Sequence, residues 1–215
     1  VCANKTTKLY KKEKRDAPIW SENNVAAFRS LIKESPFRDF YELALLTGMR
    51  RSELAGLRMQ NIDLDHERKR ATIRVVEARV RVRGRGYVQG QPKTKSARRS
   101  VTLLEDGYAL LNGIFWERQL VQGEKEEAIK GLHQMAEVEQ DSVRRLEHTL
   151  QLEKLQSDLD NNNPGYVFTQ ANGKPVNPDE ASTAFAQIIK GSRLPYITLH
   201  GLRHVHATRL MVLGV

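Results

Sequence analysis

The chain holds one cysteine in 215 residues, Cys2, so no disulfide can join two points within it. That usage fits a reducing compartment, and a cytoplasmic, nucleoid-associated location is expected. Long apolar runs are missing too. None approaches the ~18 consecutive residues that a membrane-spanning helix needs, mean hydropathy is −0.55, and the first residues carry no apolar stretch of the secretory kind. A membrane is therefore not expected as a partner. Aromatics are sparse at 7%, and no internal repeat is visible. Negative charge is scarcest in the middle of the chain, where Glu77 is the only acidic side chain between residues 68 and 99.

What is present is positive charge. Lys and Arg number 35 against 26 Asp and Glu, a formal net charge of +9 with a pI near 9.7, which favours a polyanion as partner. The distribution is uneven. Residues 68–99 carry twelve basic side chains, whereas residues 121–160 carry ten acidic and five basic ones. Counterion release on phosphate binding rewards a concentrated basic stripe. The central segment is therefore the expected face for double-stranded DNA, with Arg79, Arg81, Arg83, Lys95, Arg98 and Arg99 as binding candidates. A merely solubilising arginine-rich hairpin is the competing reading.

The length suits one domain with a substantial core. Residues 1–17 read as a basic linker and 18–215 as the folded unit, with a helical acidic insertion at about 121–160. Ser21 is a good N-cap for a helix with Val25, Phe28, Leu31 and Ile32 on one face. A second helix is expected over Asp39–Thr47, broken by Gly48, and a third from about Arg50 to Leu57.

From Ile62 to Leu103 the pattern becomes strand-like. Arg79, Arg81 and Arg83 alternate with Ala78, Val80 and Val82, which predicts one packed face and one free to meet phosphate. The alternation slips at Val75-Val76, where a bulge or strong twist is expected. Gly84 and Gly86 supply a turn, and a return strand is expected from Tyr87 through Val101. Glu105–Leu120 reads as a helix and 124–160 as a helical hairpin or arm. A short strand at Tyr166–Thr169 and helices over Pro178–Lys190 and from about Leu199 complete the pattern. The fold class is thus α+β, mainly helical with a small antiparallel sheet.

Two arginine-centred blocks stand far apart: Thr47-Gly48-Met49-Arg50-Arg51-Ser52-Glu53-Leu54 and His200-Gly201-Leu202-Arg203-His204. Two guanidiniums and an imidazole on one site suit a phosphodiester, because each guanidinium offers forked donors that match phosphate oxygens. Glu53, one helical turn after Arg50, can hold that arginine through an ion pair. His200 and Arg203 share a helix face, so one can grip a phosphate oxygen while the other exchanges a proton. His200 and His204 stand at i, i+4 and a metal is conceivable there, but no H-E-x-x-H arrangement and no nearby cysteine accompany them. No cofactor and no metal are expected. Between the blocks, Pro92-Lys93-Thr94-Lys95 offers an ammonium able to protonate a leaving alkoxide.

In this order the blocks resemble the tyrosine recombinase, or phage integrase, family. Asn61-Ile62-Asp63, Val167-Phe168, Ala207-Thr208 and Leu213-Gly214-Val215 add to the likeness. The resemblance implies a catalytic domain whose Arg50 and Arg203 clamp the scissile phosphate. It also implies His200 as the box histidine, Lys93 as general acid toward the 5′ oxygen and Glu53 as support for Arg50. Lys95 is the alternative for the lysine role. The implied reaction is site-specific DNA transesterification through a 3′-phosphotyrosyl intermediate, as in recombinases of mobile elements and prophages. A homotetramer on DNA is implied for the full-length protein. In the family the nucleophilic tyrosine follows the second box by a few dozen residues, and eleven residues follow His204 here. None of Tyr10, Tyr41, Tyr87, Tyr108, Tyr166 and Tyr196 falls at that position. The expectation is a catalytic domain with its C-terminal part missing, which binds DNA without cutting it. A non-catalytic DNA-binding module of the same fold is the alternative.

Overall fold

The computed structural model describes residues 18–91, 98–139, 141–161, 165–170 and 173–214. The linker through residue 17, Lys93 and Lys95 lie outside the described residues.

Chain order among the described residues begins with three helices, α1 (Glu22–Leu31), α2 (Arg38–Thr47) and α3 (Arg51–Ala55). Five short strands follow: β1 (Ile62–Asp65), β2 (Arg70–Val75), β3 (Ala78–Val82), β4 (Gly86–Gly90) and β5 (Arg99–Leu103). Four helices complete it: α4 (Glu105–Val138), α5 (Ser142–Asn161), α6 (Pro178–Lys190) and α7 (Gly201–Leu213).

Helix α2 is the hub. Phe40, Tyr41, Leu43, Ala44, Leu45 and Thr47 are all buried, so the helix is enclosed by others rather than lying on a surface. Phe28 of α1 and Tyr41 both stack against Phe185 of α6, with ring centroids 5.5 and 5.4 Å away. Each such fully buried side chain contributes about 1.5–3 kcal/mol relative to exposure. Tyr41 Oη donates to the Ala181 carbonyl at 2.7 Å. Trp20 Nε1 donates to the Pro195 carbonyl at 2.9 Å, tying the start of the described chain to the loop before α7. Ser21 caps α1 as expected, with Asn24 completing a reciprocal pair of bonds. Leu31 departs from its expected place on the buried face, because the chain turns after it and Ile32 takes the fully buried position.

The strand region forms two sheets instead of one. Strands β1, β2 and β5 make an antiparallel sheet in the order β1-β2-β5, and β3 with β4 forms a separate hairpin. The break comes where the alternation slips, since β2 ends at Val75 and β3 starts at Ala78. The single return strand expected over Tyr87–Val101 is therefore two strands. Its first part pairs with β3, and its end pairs with β2, placing Arg99 opposite Val75, Val101 opposite Ile73 and Leu103 opposite Ala71. The hairpin can dock closely because residue 56 is glycine: a Cβ there would lie 2.8 Å from the Arg79 backbone nitrogen.

Helix α4 runs unbroken past Leu120, and with α5 it makes the long helical arm. Gly107, Leu111 and Ile114 anchor its first turns in the core. Past residue 121 the described arm buries only Leu152, while Val138, Val143, Leu146 and Leu150 are exposed.

Candidate active site

The first block is shaped by Gly48. It ends α2 in the left-handed conformation with φ of +58°, which glycine adopts without strain. A Cβ at this position would come within 2.7 Å of the His206 ring, so glycine also lets α7 approach α2. His206 Nδ1 lies 3.1 Å from the Leu45 carbonyl oxygen, and α2 and α7 are locked at this point. Burial lowers the His206 pKa. The bond to Leu45 opposes that shift, and the charges of Arg209 and Arg203 reinforce it.

Past Gly48 the chain enters α3 with Arg50 as N-cap in extended conformation. Glu53 reaches back to it: Oε2 accepts from the Arg50 backbone N–H at 2.9 Å, and Oε1 accepts from Arg50 Nη1 at 2.8 Å. Arg99 of β5 approaches the same carboxylate as a fork, Nη1 to Oε1 at 3.3 Å and Nη2 to Oε2 at 2.9 Å. Glu53 is 2% exposed. Burial raises its pKa, but the hydrogen bonds from Arg99 and from the backbone and side chain of Arg50 outweigh that, and the net direction is down. Glu53 is a buried, ionised anchor for two arginines.

Arg203 comes from α7 and donates from Nη1 to the Gly48 carbonyl at 2.6 Å. Its pKa is lowered by burial and by the charges of Arg50 and Arg99, against the opposing attraction of Glu53. His200 caps α7 and is exposed. Its pKa is lowered by partial desolvation first, then by His204, Arg203, Arg50 and Arg51. Both shifts require the two sequence blocks to lie within electrostatic reach of one another. Arg50 and His200 line a shared open cleft of about 480 Å³ with Arg51, Ser52, Ser182 and Tyr196. A separate groove of about 600 Å³, lined by Phe40, Phe168 and by Arg118 and Val121 of α4, shares no residue with that cleft.

His204 is exposed and its ring stands edge-on to His200 with centroids 5.5 Å apart. Among the described residues no group of three or more His, Cys, Asp or Glu side chains gathers that could hold a metal. The structure therefore brings Arg50, Glu53, His200 and Arg203 together, while Lys93 falls outside the described residues.

The hairpin arginines form the expected free face only in part, since Arg79 is half-buried while Arg81 and Arg83 are exposed. Arg79 lies over the Tyr166 ring at 5.6 Å and donates to the Tyr87 carbonyl. Arg81 pairs with Asp179 Oδ2 at 3.5 Å. Arg83 is exposed, and Arg98 donates to Gln91 Oε1 at 3.0 Å. Of the β3 arginines Arg79 is thus turned toward Tyr166, while Arg81 reaches α6 yet keeps 75% of its side chain exposed, against 37% for Val82. Hydrophobic alternation cannot distinguish these faces once a hairpin projects from the body, because both then meet solvent near its tip.

Two features of the site escape sequence reading. Arg51 donates to Asp179 Oδ1 at 3.0 Å and to Ser182 Oγ at 2.8 Å, fixing α6 against α3. Asp179 also accepts from Tyr87. These contacts join residues more than ninety positions apart, and no local pattern announces them.

Comparisons with known proteins bear on the family and the fold. A tyrosine recombinase XerC-like protein from Caldanaerobacter subterraneus subsp. tengcongensis is 23% identical over 201 residues, covering 91% of this chain and 44% of the relative. The chain therefore spans less than half the length of that relative. Among solved structures, the Tn1549 transposon integrase bound to circular-intermediate DNA superposes with a TM-score of 0.63 at 20% identity, over 95% of this chain and 56% of that one. XerA recombinase gives 0.54 at 16% identity, over 94% and 53%. The fold is thus that of the tyrosine recombinases, and since the phage integrase family matches residues 22–215, the chain belongs to that family.

Proposed function

We propose that this chain is the catalytic domain of a site-specific DNA recombinase or integrase, acting on double-stranded DNA by transesterification. The observation that carries the reading is the mutual approach of Arg50, Arg203 and His200, with Arg50 bonded to the buried Glu53 carboxylate. Arg50 is anchored at one edge while its side chain stays 49% exposed, which leaves it open to a ligand. Arg203 is held by the Gly48 carbonyl. Two fixed guanidiniums oriented in advance stabilise the extra negative charge of a pentacoordinate phosphorane. His200, with its pKa lowered, is largely neutral at pH 7 and suited to exchanging a proton with the reacting oxygens.

In the proposed reaction a tyrosine hydroxyl attacks the scissile phosphorus and gives up its proton to His200. The P–O5′ bond breaks, the 5′ oxygen takes up a proton from Lys93, and a 3′-phosphotyrosyl link remains. The reverse attack by a 5′ hydroxyl rejoins the strand, so the covalent link conserves the phosphodiester and no nucleotide is consumed. The attacking tyrosine is none of the six in these 215 residues. Tyr41 is buried with its pKa raised by desolvation, Tyr87 is bonded to Asp179, Tyr108 to His66 and Tyr166 to Gln89. Tyr196 lines the cleft, and its replacement by Phe is the direct check on this point. The 215 residues alone then bind DNA without cutting it.

The test uses the full-length protein and a duplex selected by that protein from a random-sequence library, nicked near the cleavage point so that adducts accumulate. A covalent protein–DNA adduct that is lost on replacing Arg203 and retained on replacing Tyr196 supports the reading. Binding without adduct under every condition would establish the alternative, a DNA-binding module of the same fold. The Tn1549 integrase neighbour is a DNA complex, which supports DNA as the ligand. Self-association into a tetramer on DNA is part of the same proposal, and light scattering of the protein with the selected duplex tests it.

A further inference from the structure

The geometry points to Arg99 as a positioning residue that sets the active state of Arg50 through their shared carboxylate, instead of a residue that touches DNA. The inference rests on the transesterification reading and concerns how its first arginine is kept available.

Three observations carry it. The first is register. In the β2–β5 pairing Arg99, Val101 and Leu103 stand opposite Val75, Ile73 and Ala71, three buried residues, so Arg99 occupies the inward-facing row of β5. Ser100 and Thr102, on the outward row, are exposed. An arginine on the inward row of a sheet is costly unless a carboxylate meets it, and Glu53 does.

The second is saturation. A carboxylate has about four acceptor positions. Glu53 receives four donors: the Arg50 backbone N–H and Nη1, and Arg99 Nη1 and Nη2. No capacity is left for Glu53 to serve as a base or a ligand, and its role is confined to holding these two arginines.

The third is exposure. The Arg99 side chain is 28% exposed against 49% for Arg50, so of the two guanidiniums on Glu53 it is Arg50 that faces outward.

The consequence is electrostatic. Were Glu53 paired with Arg50 alone, its full negative charge would fall on the guanidinium that must grip phosphate. Sharing the carboxylate with Arg99 leaves a net positive cluster, to which Arg203 adds, as its own lowered pKa reflects. Arg99 also keeps Glu53 ionised, since it gives the largest of the effects that lower that carboxyl. The charged groups facing Glu53 are Arg50 from the start of α3, Arg99 from β5 and Arg203 from α7.

The experiment compares wild type, Arg99→Gln and Arg99→Lys as full-length proteins on the selected nicked duplex. Equilibrium Kd, single-turnover adduct rate from pH 5 to 8, and melting temperature are read together. Arg99→Gln is expected to slow adduct formation about 10- to 100-fold while Kd changes less than about threefold, and to shift the acid limb of the rate profile to higher pH. Arg99→Lys is expected to restore the position of that limb and part of the rate, because the charge returns without the fork. Should Arg99→Gln fail to fold, Arg99→Lys carries the test through its loss of rate at unchanged Kd. A Kd that rises as much as the rate falls, with an unmoved pH profile, would make Arg99 a DNA ligand and overturn the inference. Equal rates in wild type and Arg99→Gln would overturn it as well. A wild type that binds the duplex but forms no adduct overturns the transesterification reading, and this inference with it.

Discussion

Two sets of arginines in this chain are held in opposite ways. Around Glu53, one buried carboxylate anchors Arg50 and Arg99 while Arg203 leans on a backbone carbonyl, so three guanidiniums share a single negative charge. On the β3–β4 hairpin the arginines are held by separate groups: Arg79 lies over Tyr166, and Arg81 pairs with Asp179, which Arg51 also meets. The first arrangement keeps positive potential concentrated and rigid, and the second disperses it. In the proposed reading the same residue type attracts a phosphate in one place and fastens a hairpin in the other.

The sharpest way to break this contrast is to remove the arginine that leans on the backbone. Arg203→Ala should reduce the adduct-forming rate of the full-length protein about 10³-fold, roughly 4 kcal/mol of transition-state stabilisation, while weakening DNA binding only a few-fold. Removing the shared carboxylate comes next. Glu53→Ala should cost about 2–3 kcal/mol of folding stability. That is below the ~3–5 expected for a fully buried pair, because the half-exposed Arg50 can turn to water. Urea denaturation of the 18–215 unit measures it. Because the Glu53 pKa lies below its ordinary value, its contribution is present above the usual carboxylate range and is lost as pH falls through the folded-state pKa. The Ala variant should therefore lose less stability than wild type below pH 4.5.

Much of the site is visible in the sequence because it depends on local geometry. A helix-breaking Gly48, a helix start at Arg50 and an acidic residue three positions on define an N-terminal signature, and Glu53 does bond back to the Arg50 backbone. Pro178 as the first residue of α6 and Gly191 after its end are equally legible. What stays hidden depends on register and long-range docking. One continuous return strand after Tyr87 would be the simplest reading, yet the chain switches from β3 to β2 as its partner. Only that switch turns Arg99 inward and Arg98 outward. The mutual approach of α2 and α7 at Gly48 is hidden for the same reason, as the ring that forbids a side chain there belongs to a residue 158 positions away.

That contact gives a smaller effect. Gly48→Ala combines a left-handed φ with a 2.7 Å approach to His206, and should destabilise by about 1–3 kcal/mol. Adding His206→Ala should recover only the part due to crowding. His206 itself has a lowered pKa, so the unfolded chain takes up its proton first. Stability is then full above the unfolded value near 6.5 and falls as pH drops through the window below it. His206→Gln should flatten the stability profile in that window and leave the Glu53 limb at lower pH unchanged.

The smallest effect tests the other arm of the comparison. Asp179 accepts from Arg51 and Tyr87 and pairs with Arg81, and these contacts hold its pKa below the ordinary value. Asp179→Asn keeps the shape and removes the charge, so two arginines lose their counter-ion at an exposed place where stability changes little. If the hairpin arginines are dispersed by internal pairing, freeing them should tighten binding to a random-sequence duplex a few-fold at low salt. The dependence of log Kd on log salt should steepen by about one phosphate contact. An unchanged salt slope would mean that Arg51 and Arg81 remain out of reach of DNA even without their partner. The hairpin's contribution would then be mechanical, and the phosphate-attracting charge would reside in the cluster around Glu53.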